Sequence, residues 1–371
     1  MADEVSVFLS GDVMMGRGID QILPHPGDPT LYERFVDDAR TYVSLAERRN
    51  GSIPAPVDFA WPWGEALDAL GDAAPDLRII NLETSITTVD TFAPGKGIHY
   101  RMTPANLPAV TVAQPDVCVL ANNHVLDLGP AGLDETLATL AHTGLPSAGA
   151  GRGNDEAARP ATIAVRGGRR RVQIHAAAMP SSGVPPEWAA TPDAPGVNYL
   201  ADASPRRVEQ LLTRIEDHRQ PGDLVIVSIH WGSNWGYEVA QEQSRLAHQL
   251  IDGGVDVVHG HSSHHPRPIE VYRERLILYG CGDLINDYEG ISGHEAFRSD
   301  LRLLYLASLD ADTGQVTGLR MLPMQARRMR LERAPRSQAA WLASLLDDLS
   351  RPLGAPISLG TDPEPHLRLT R

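Results

Sequence analysis

Cysteine is nearly absent: Cys118 and Cys281 are the only two in 371 residues. Both lie in apolar runs and neither adjoins a nucleophile motif, so reduced buried thiols are expected rather than a disulfide framework. No stretch approaches the roughly 20 apolar residues of a membrane span. The acidic opening MADEVSVFLSGD has an apolar run too short for a secretory core. A cytoplasmic protein with no membrane partner is the expectation. Positive charge is also scarce. Lys and Arg total 33 against 47 Asp and Glu, a formal net charge of −14, which argues against a uniform basic face for nucleic acid. Local arginine density at 169–171 and 327–333 reads as solvated turns and surface.

What is present is an ordinary apolar content of 42%, enough for a sizeable core. Short runs of Val, Ile and Leu predict strands at 5–10, 77–82, 116–121, 224–229 and 255–259. Apolar residues at three- and four-residue spacing predict helices at 31–48, 132–142, 205–218 and 241–251. After residue 267 the pattern changes to antiparallel strands at 269–272, 276–279, 301–309 and 316–323, then a closing helix at 337–350. Segments 144–153 and 180–195 are rich in Gly, Pro, Ser and Ala and read as loops or lids. The sum is an α/β fold, a sandwich of mixed sheets flanked by helices, taken as a single unit over residues 1–371.

Polar groups cluster where the predicted strands end, the edge at which open α/β sheets bind ligands. The first strand runs into Gly11-Asp12-Val13-Met14-Met15-Gly16-Arg17. Asn81-Leu82-Glu83 closes the second, and Asn122-Asn123-His124 the third, with Asp127 following. The fourth ends in His230-Trp231 and the fifth in a seven-residue window holding His259, His261, His264 and His265, four of the 14 histidines. A Gly-Asp after a strand is more often a turn, and a lone histidine more often a satisfied core group. Arriving in order at one edge, two carboxylates, an amide and several imidazoles suit a divalent cation. The expected ligands are Asp12, Glu83, Asn123, His230, His261 and His264.

The ordered blocks GDVMMGR, NLETSIT, LANNHVLDLG, SIHWG and GHSSHHPRPIEVY resemble the capsule-synthesis (CapA-like) branch of the calcineurin-like metallophosphoesterases over most of the chain. The resemblance implies a sandwich of two mixed sheets with a metal centre. Two departures matter. The wider group opens with Asp-x-His, where this chain has Asp12-Val13-Met14, and its second block carries Gly-Asp-x-x-Asp, where this chain has Asn81 and Glu83. One divalent ion is therefore expected. Calcium leads by resemblance; carboxylate and amide donors also suit manganese, while imidazoles suit zinc or iron.

Two reactions fit one cation among His and Asp. Hydrolysis would use His124 as acid. Proton transfer at a carbon beside a carbonyl would need two His–Asp pairs, one on each face: His124 with Asp12 or Asp127, and His265 or His294 with Asp283 or Asp287. The chain is also similar, in length and composition, to a CapA-like enzyme type that inverts the Cα of the C-terminal Trp of a ribosomally made lasso precursor peptide. That reaction is the leading expectation, with a phosphoesterase or a capsule polyglutamate protein as alternatives. Arg17, Trp231 and Trp235 are expected to bind substrate, and Trp61-Pro62-Trp63 either lines a pocket or packs the core.

Overall fold

The computed structural model describes residues 3–362 and 364–370. Two mixed sheets face each other. The larger has, in spatial order, Ile357–Leu359, Leu367–Leu369, Val316–Ala326, Leu301–Asp310, Glu4–Val13, Leu77–Leu82, Val117–Val119 and Ser147–Ala148. The last four run parallel, and Leu301–Asp310 pairs antiparallel with Glu4–Val13. The smaller sheet orders Ile269–Tyr272, Arg275–Leu278, Val257–His261, Leu224–His230, Arg170–Ala178 and Ala161–Val165.

The strand Leu224–His230 shows how one sequence pattern serves both faces. Leu224 and Ile226 join the core between the sheets, whereas Val225, Val227 and Ile229 join a second apolar cluster with Val208, Leu211 and Ile215 of helix Pro205–His218 and Leu246 and Leu250 of helix Gln241–Asp252. Burial on both faces makes the strand a continuous apolar run. The same two-residue period sends Ser228 and His230 inward. In the neighbouring strand, Val257 packs inward and Val258 outward, so His259 and His261 also face the larger sheet. His259 Nε2 makes a 2.7 Å hydrogen bond to Ser10 O, joining the two sheets.

Most expected elements form; the differences are at 31–48, at 161–178 and within 144–153, read as a loop, where Ser147–Ala148 adds an edge strand to the larger sheet. The helix expected at 31–48 begins only at Arg40. Pro24, Pro26 and Pro29 break the preceding segment, a Thr30–Asp38 bridge holds it extended, and Asp38 Oδ1 accepts the Arg40 N–H at 2.8 Å. The strands Ala161–Val165 and Arg170–Ala178 form a hairpin that composition hid, because Arg169–Arg171 reads as surface and Gln173 and His175 interrupt the apolar run. Trp63 is buried with its indole N–H on Ala109 O, so it packs the core. Among the described residues no helix is long and apolar enough to cross a membrane.

Candidate metal centre

Strand register assembles the site. Asp12 stands opposite Asn81 on one side and Asp283 on the other, and His230 stands opposite His261. The pairing of Glu4–Val13 shifts between Leu9 and Asp12, which re-aims the strand end. Gly11 makes room for the short strand Asp283–Ile285: a Cβ there would lie 1.7 Å from Gly282 O. Ser262 holds φ 106° between the two histidine positions, a strained backbone for a residue with a side chain.

The donors meet in two overlapping sets, Asp12 with His230 and His261, and Asp12 with His264 and Asp283. His230 Nδ1 lies 2.7 Å from His261 Nδ1, and His230 Nε2 lies 3.1 Å from Asn123 Oδ1 and 3.8 Å from Glu83 Oε1. His261 Nδ1 is 3.9 Å from Asp12 Oδ1. Asn81 sits behind them, its amide donating to Asp12 Oδ1 at 2.7 Å and Glu83 Oε2 at 3.2 Å. Of the Asn pair, Asn122 is architectural: its Oδ1 caps the His124 and Val125 N–H groups, and its amide donates to Asn81 Oδ1 and Leu82 O. Asn123 is the one that turns to His230.

The electrostatics call for a cation. Asp12 Oδ2 is buried without a hydrogen-bond partner. Burial, then the neighbouring Asp283 carboxylate, pushes the Asp12 carboxyl up to about 7. Burial and Asp12 push Glu83 well above the usual carboxylate range. Burial drives the His230 and His261 imidazoles well below theirs. Acids that resist ionisation beside imidazoles that resist protonation leave lone pairs facing a common point with too little positive charge. A divalent cation fits this donor set. The expectation of one ion rested on the missing Asp-x-His; Asp283 now supplies a further donor beside Asp12 and His264.

Two His–Asp pairs stand at the site, one beside the donors and the other, His264–Asp283, among them. His124 Nδ1 lies 2.6 Å from Asp127 Oδ2, while its Nε2 is 3.8 Å from Glu83 Oε1. The Tyr100 N–H donates to Asp127 Oδ2 at 2.6 Å, and the Tyr100 ring meets His124 edge-on at 4.5 Å. Burial pushes His124 down to about 4, against the opposing pull of Asp127. On the other side His264 Nδ1 lies 2.9 Å from Asp283 Oδ1, and the Asn286 amide donates to Asp283 Oδ2 at 2.6 Å. Burial opposes charging of His264, yet the Asp283 carboxylate prevails and raises its pKa.

Sequence reasoning missed Lys96. Its ammonium ion-pairs with Asp127, donates to Asn123 O and lies 3.1 Å from His124 Nδ1. A signal was available: Lys96 is the one lysine in the chain.

Several expected roles are corrected. Arg17 is buried and ion-paired to Asp287 and Glu33, so its charge is spent inside the protein. Trp231 is wholly buried, with its indole N–H on Tyr279 O, and belongs to the core. His265 has both ring nitrogens occupied, Nδ1 by Pro266 O and Nε2 by the Gly236 N–H, and packs on Phe297. It holds a loop rather than moving a proton. His294 is exposed and stacked on Trp235 at 3.8 Å, and does not join the donor sets. Trp235 meets His264 edge-on at 5.3 Å, so it walls the site.

These features define an α/β sandwich with a candidate metal centre and two His–Asp pairs gathered at the ends of its strands. Residues 6–288 match the family described as bacterial capsule synthesis protein PGA_cap, and the chain belongs to that family. It is 54% identical over 353 residues, 95% of this chain and 93% of the other, to the probable polyglutamine synthesis accessory protein of Mycobacterium tuberculosis. It is 24% identical over 288 residues to the PGA biosynthesis protein CapA of Bacillus subtilis, covering 77% of this chain and 64% of that protein. Among solved structures, a novel phosphatase from Mycoplasma pneumoniae aligns with 91% of this chain and 97% of its own at 11% identity and a TM-score of 0.44.

Proposed function

We propose that the protein is a metal-dependent enzyme acting on an amide-linked glutamyl polymer of the capsule type, with the whole chain as one catalytic unit. The observation that carries the enzymatic part is the orphaned Asp12 Oδ2 among buried donors, with a His–Asp pair facing them. The relatives named for polyglutamine and PGA synthesis support the substrate class. Asp12, Glu83, Asn123, His230, His261 and His264 would hold the ion, with Asp283 beside them. A bound divalent cation supplies the charge that polarises an acyl oxygen.

The remaining work falls to the chain. Asp127 fixes the His124 tautomer and orientation, and His124 Nε2 faces the donors, where it passes a proton to or from the reacting group. Lys96 neutralises Asp127 and keeps the imidazole uncharged until it is needed. A second reading is favoured by the second pair, His264–Asp283, on the other side of Asp12. Two such pairs suit proton removal and return at a peptide Cα, the epimerase reaction on a precursor peptide.

One experiment separates the readings. Metal-stripped protein is reloaded with calcium, manganese, zinc or iron and given poly-γ-glutamate, an aryl phosphate, or a peptide ending in Trp in heavy water. Metal-dependent shortening or release of the glutamyl chain establishes the first reading. Deuteron uptake at Cα without chain cleavage replaces it with the second. Phosphate release alone defeats both.

A further inference from the structure

Beside the metal centre lies a cavity of about 520 Å³ between the loop that follows Asp283–Ile285 and the end of helix Arg40–Asn50. Its lining includes Arg49, Arg298, Arg302 and Arg327, a density of cations at odds with the chain's net charge of −14. Three acids also line it, leaving one positive charge in excess, and each accepts hydrogen bonds. Asp300 accepts from Arg298 and Gln325, Glu289 from Asn50 and the Arg328 N–H, and Glu295 from the Gly293 N–H. The cationic side is less satisfied. Arg302 is 2% exposed and donates only to neutral acceptors, Ser299 O, Leu301 O and Asn286 Oδ1, while its buried Nε–H has no partner. Arg49 and Arg327 are exposed at the rim.

Arg302 feels Asp283, Asp300 and Glu289 but pairs directly with none of them, and an anion at its unpartnered Nε–H offsets part of the remaining burial cost. The cavity also communicates with the donors. Arg302 Nη2 donates to Asn286 Oδ1 at 3.0 Å, Asn286 Nδ2 to Asp283 Oδ2 at 2.6 Å, and Asp283 Oδ1 meets His264 Nδ1 at 2.9 Å. Tyr288, in the cavity wall, presses its ring edge-on against His264 at 5.1 Å.

We propose that this cavity is a carboxylate subsite, taking side-chain or terminal carboxylates of an acidic peptide chain whose neighbouring segment lies at the metal centre. The proposal rests on the glutamyl-polymer reading for its ligand class. Guanidinium groups spaced around the cavity suit single carboxylates borne along a chain, and their planar forks pair well with them.

The test is calorimetric titration of the full chain with hexaglutamate, hexaglutamine and inorganic phosphate, in the parent and in the double variant Arg49→Glu with Arg327→Glu. Both changes are at exposed positions, so the fold is retained; Arg302→Lys, which keeps the charge but alters the fork, is the internal probe. Hexaglutamate is expected to bind in a salt-sensitive way, at least tenfold more weakly to the double variant and to Arg302→Lys. Hexaglutamine should not bind, and phosphate should not displace hexaglutamate. Equal affinity in the double variant, equal binding of hexaglutamine, or displacement by phosphate at matching concentration overturns the subsite. Repeating the titration without metal keeps the two proposals apart. Binding that persists where no polymer turnover is found sinks the catalytic reading alone, whereas turnover with an unchanged KM in the double variant sinks the subsite alone.

Discussion

Asp12 joins both donor sets and is buried with one oxygen unpartnered. Its carboxyl is pushed up to about 7 by burial and by Asp283, so replacing it with Asn removes a repulsion while keeping an acceptor for Asn81. Asp12→Asn is expected to make the metal-free protein more stable by about 1–2 kcal/mol, and to abolish the rise in melting temperature that added metal gives the parent. Calorimetric melts with and without metal check both. His124→Gln should retain that metal-induced rise but lose about 10²–10⁴ in turnover, the usual size of a general acid–base contribution. Lys96 lowers the His124 pKa through its charge. Lys96→Met should therefore move the acidic limb of the pH–rate profile upward, whereas a purely structural lysine would lower the rate without moving it. The ligand types at strand ends were legible because they sit next to apolar runs. Lys96 was not, since it lies in an irregular loop, GKG, whose approach to Asp127 only the folded chain makes.

At the scale of elements, the parallel strands and their polar ends were legible because period-two burial leaves a plain signature. What escaped was contact made by strand crossing. The short strand Asp283–Ile285 sits beside Asp12 because Gly11 leaves its backbone room, a relation between residues far apart in sequence. Gly11→Ala is expected to destabilise the fold by about 2 kcal/mol or more, since the clash is with backbone rather than a movable side chain. It should also weaken metal uptake by displacing Asp283, which a direct metal titration reads. The reverse error arose at Trp231 and His265. Both follow strand ends and look like site residues, but Trp231 turns into the outer apolar cluster and His265 is tied to Pro266 O and the Gly236 N–H.

For the whole molecule, buried neutral histidines set the acid limit. His124, His175 and His259 are each held down to about 4 by burial. Between about 4 and 6.5 each of these imidazoles binds fewer protons folded than unfolded, so the stability each contributes falls as pH drops through that window, whereas Asp12 and Glu83, raised in the metal-free protein, act in the opposite sense. His175→Gln removes one such imidazole away from the metal donors, so its melting temperature should fall less than the parent's between pH 7.5 and pH 5.

The His259–Ser10 bond ties together strands that begin and end about two-thirds of the chain apart. Each sheet brings part of the donor set, Asp12 and Glu83 from one, His230 and His261 from the other. The site therefore has a birth order during synthesis. Asp12 and Glu83 emerge early with no imidazole partners from the second sheet, and a chain truncated before the histidine window holds carboxylates that cannot close on an ion. An ion bound there would report that the two sheets have met.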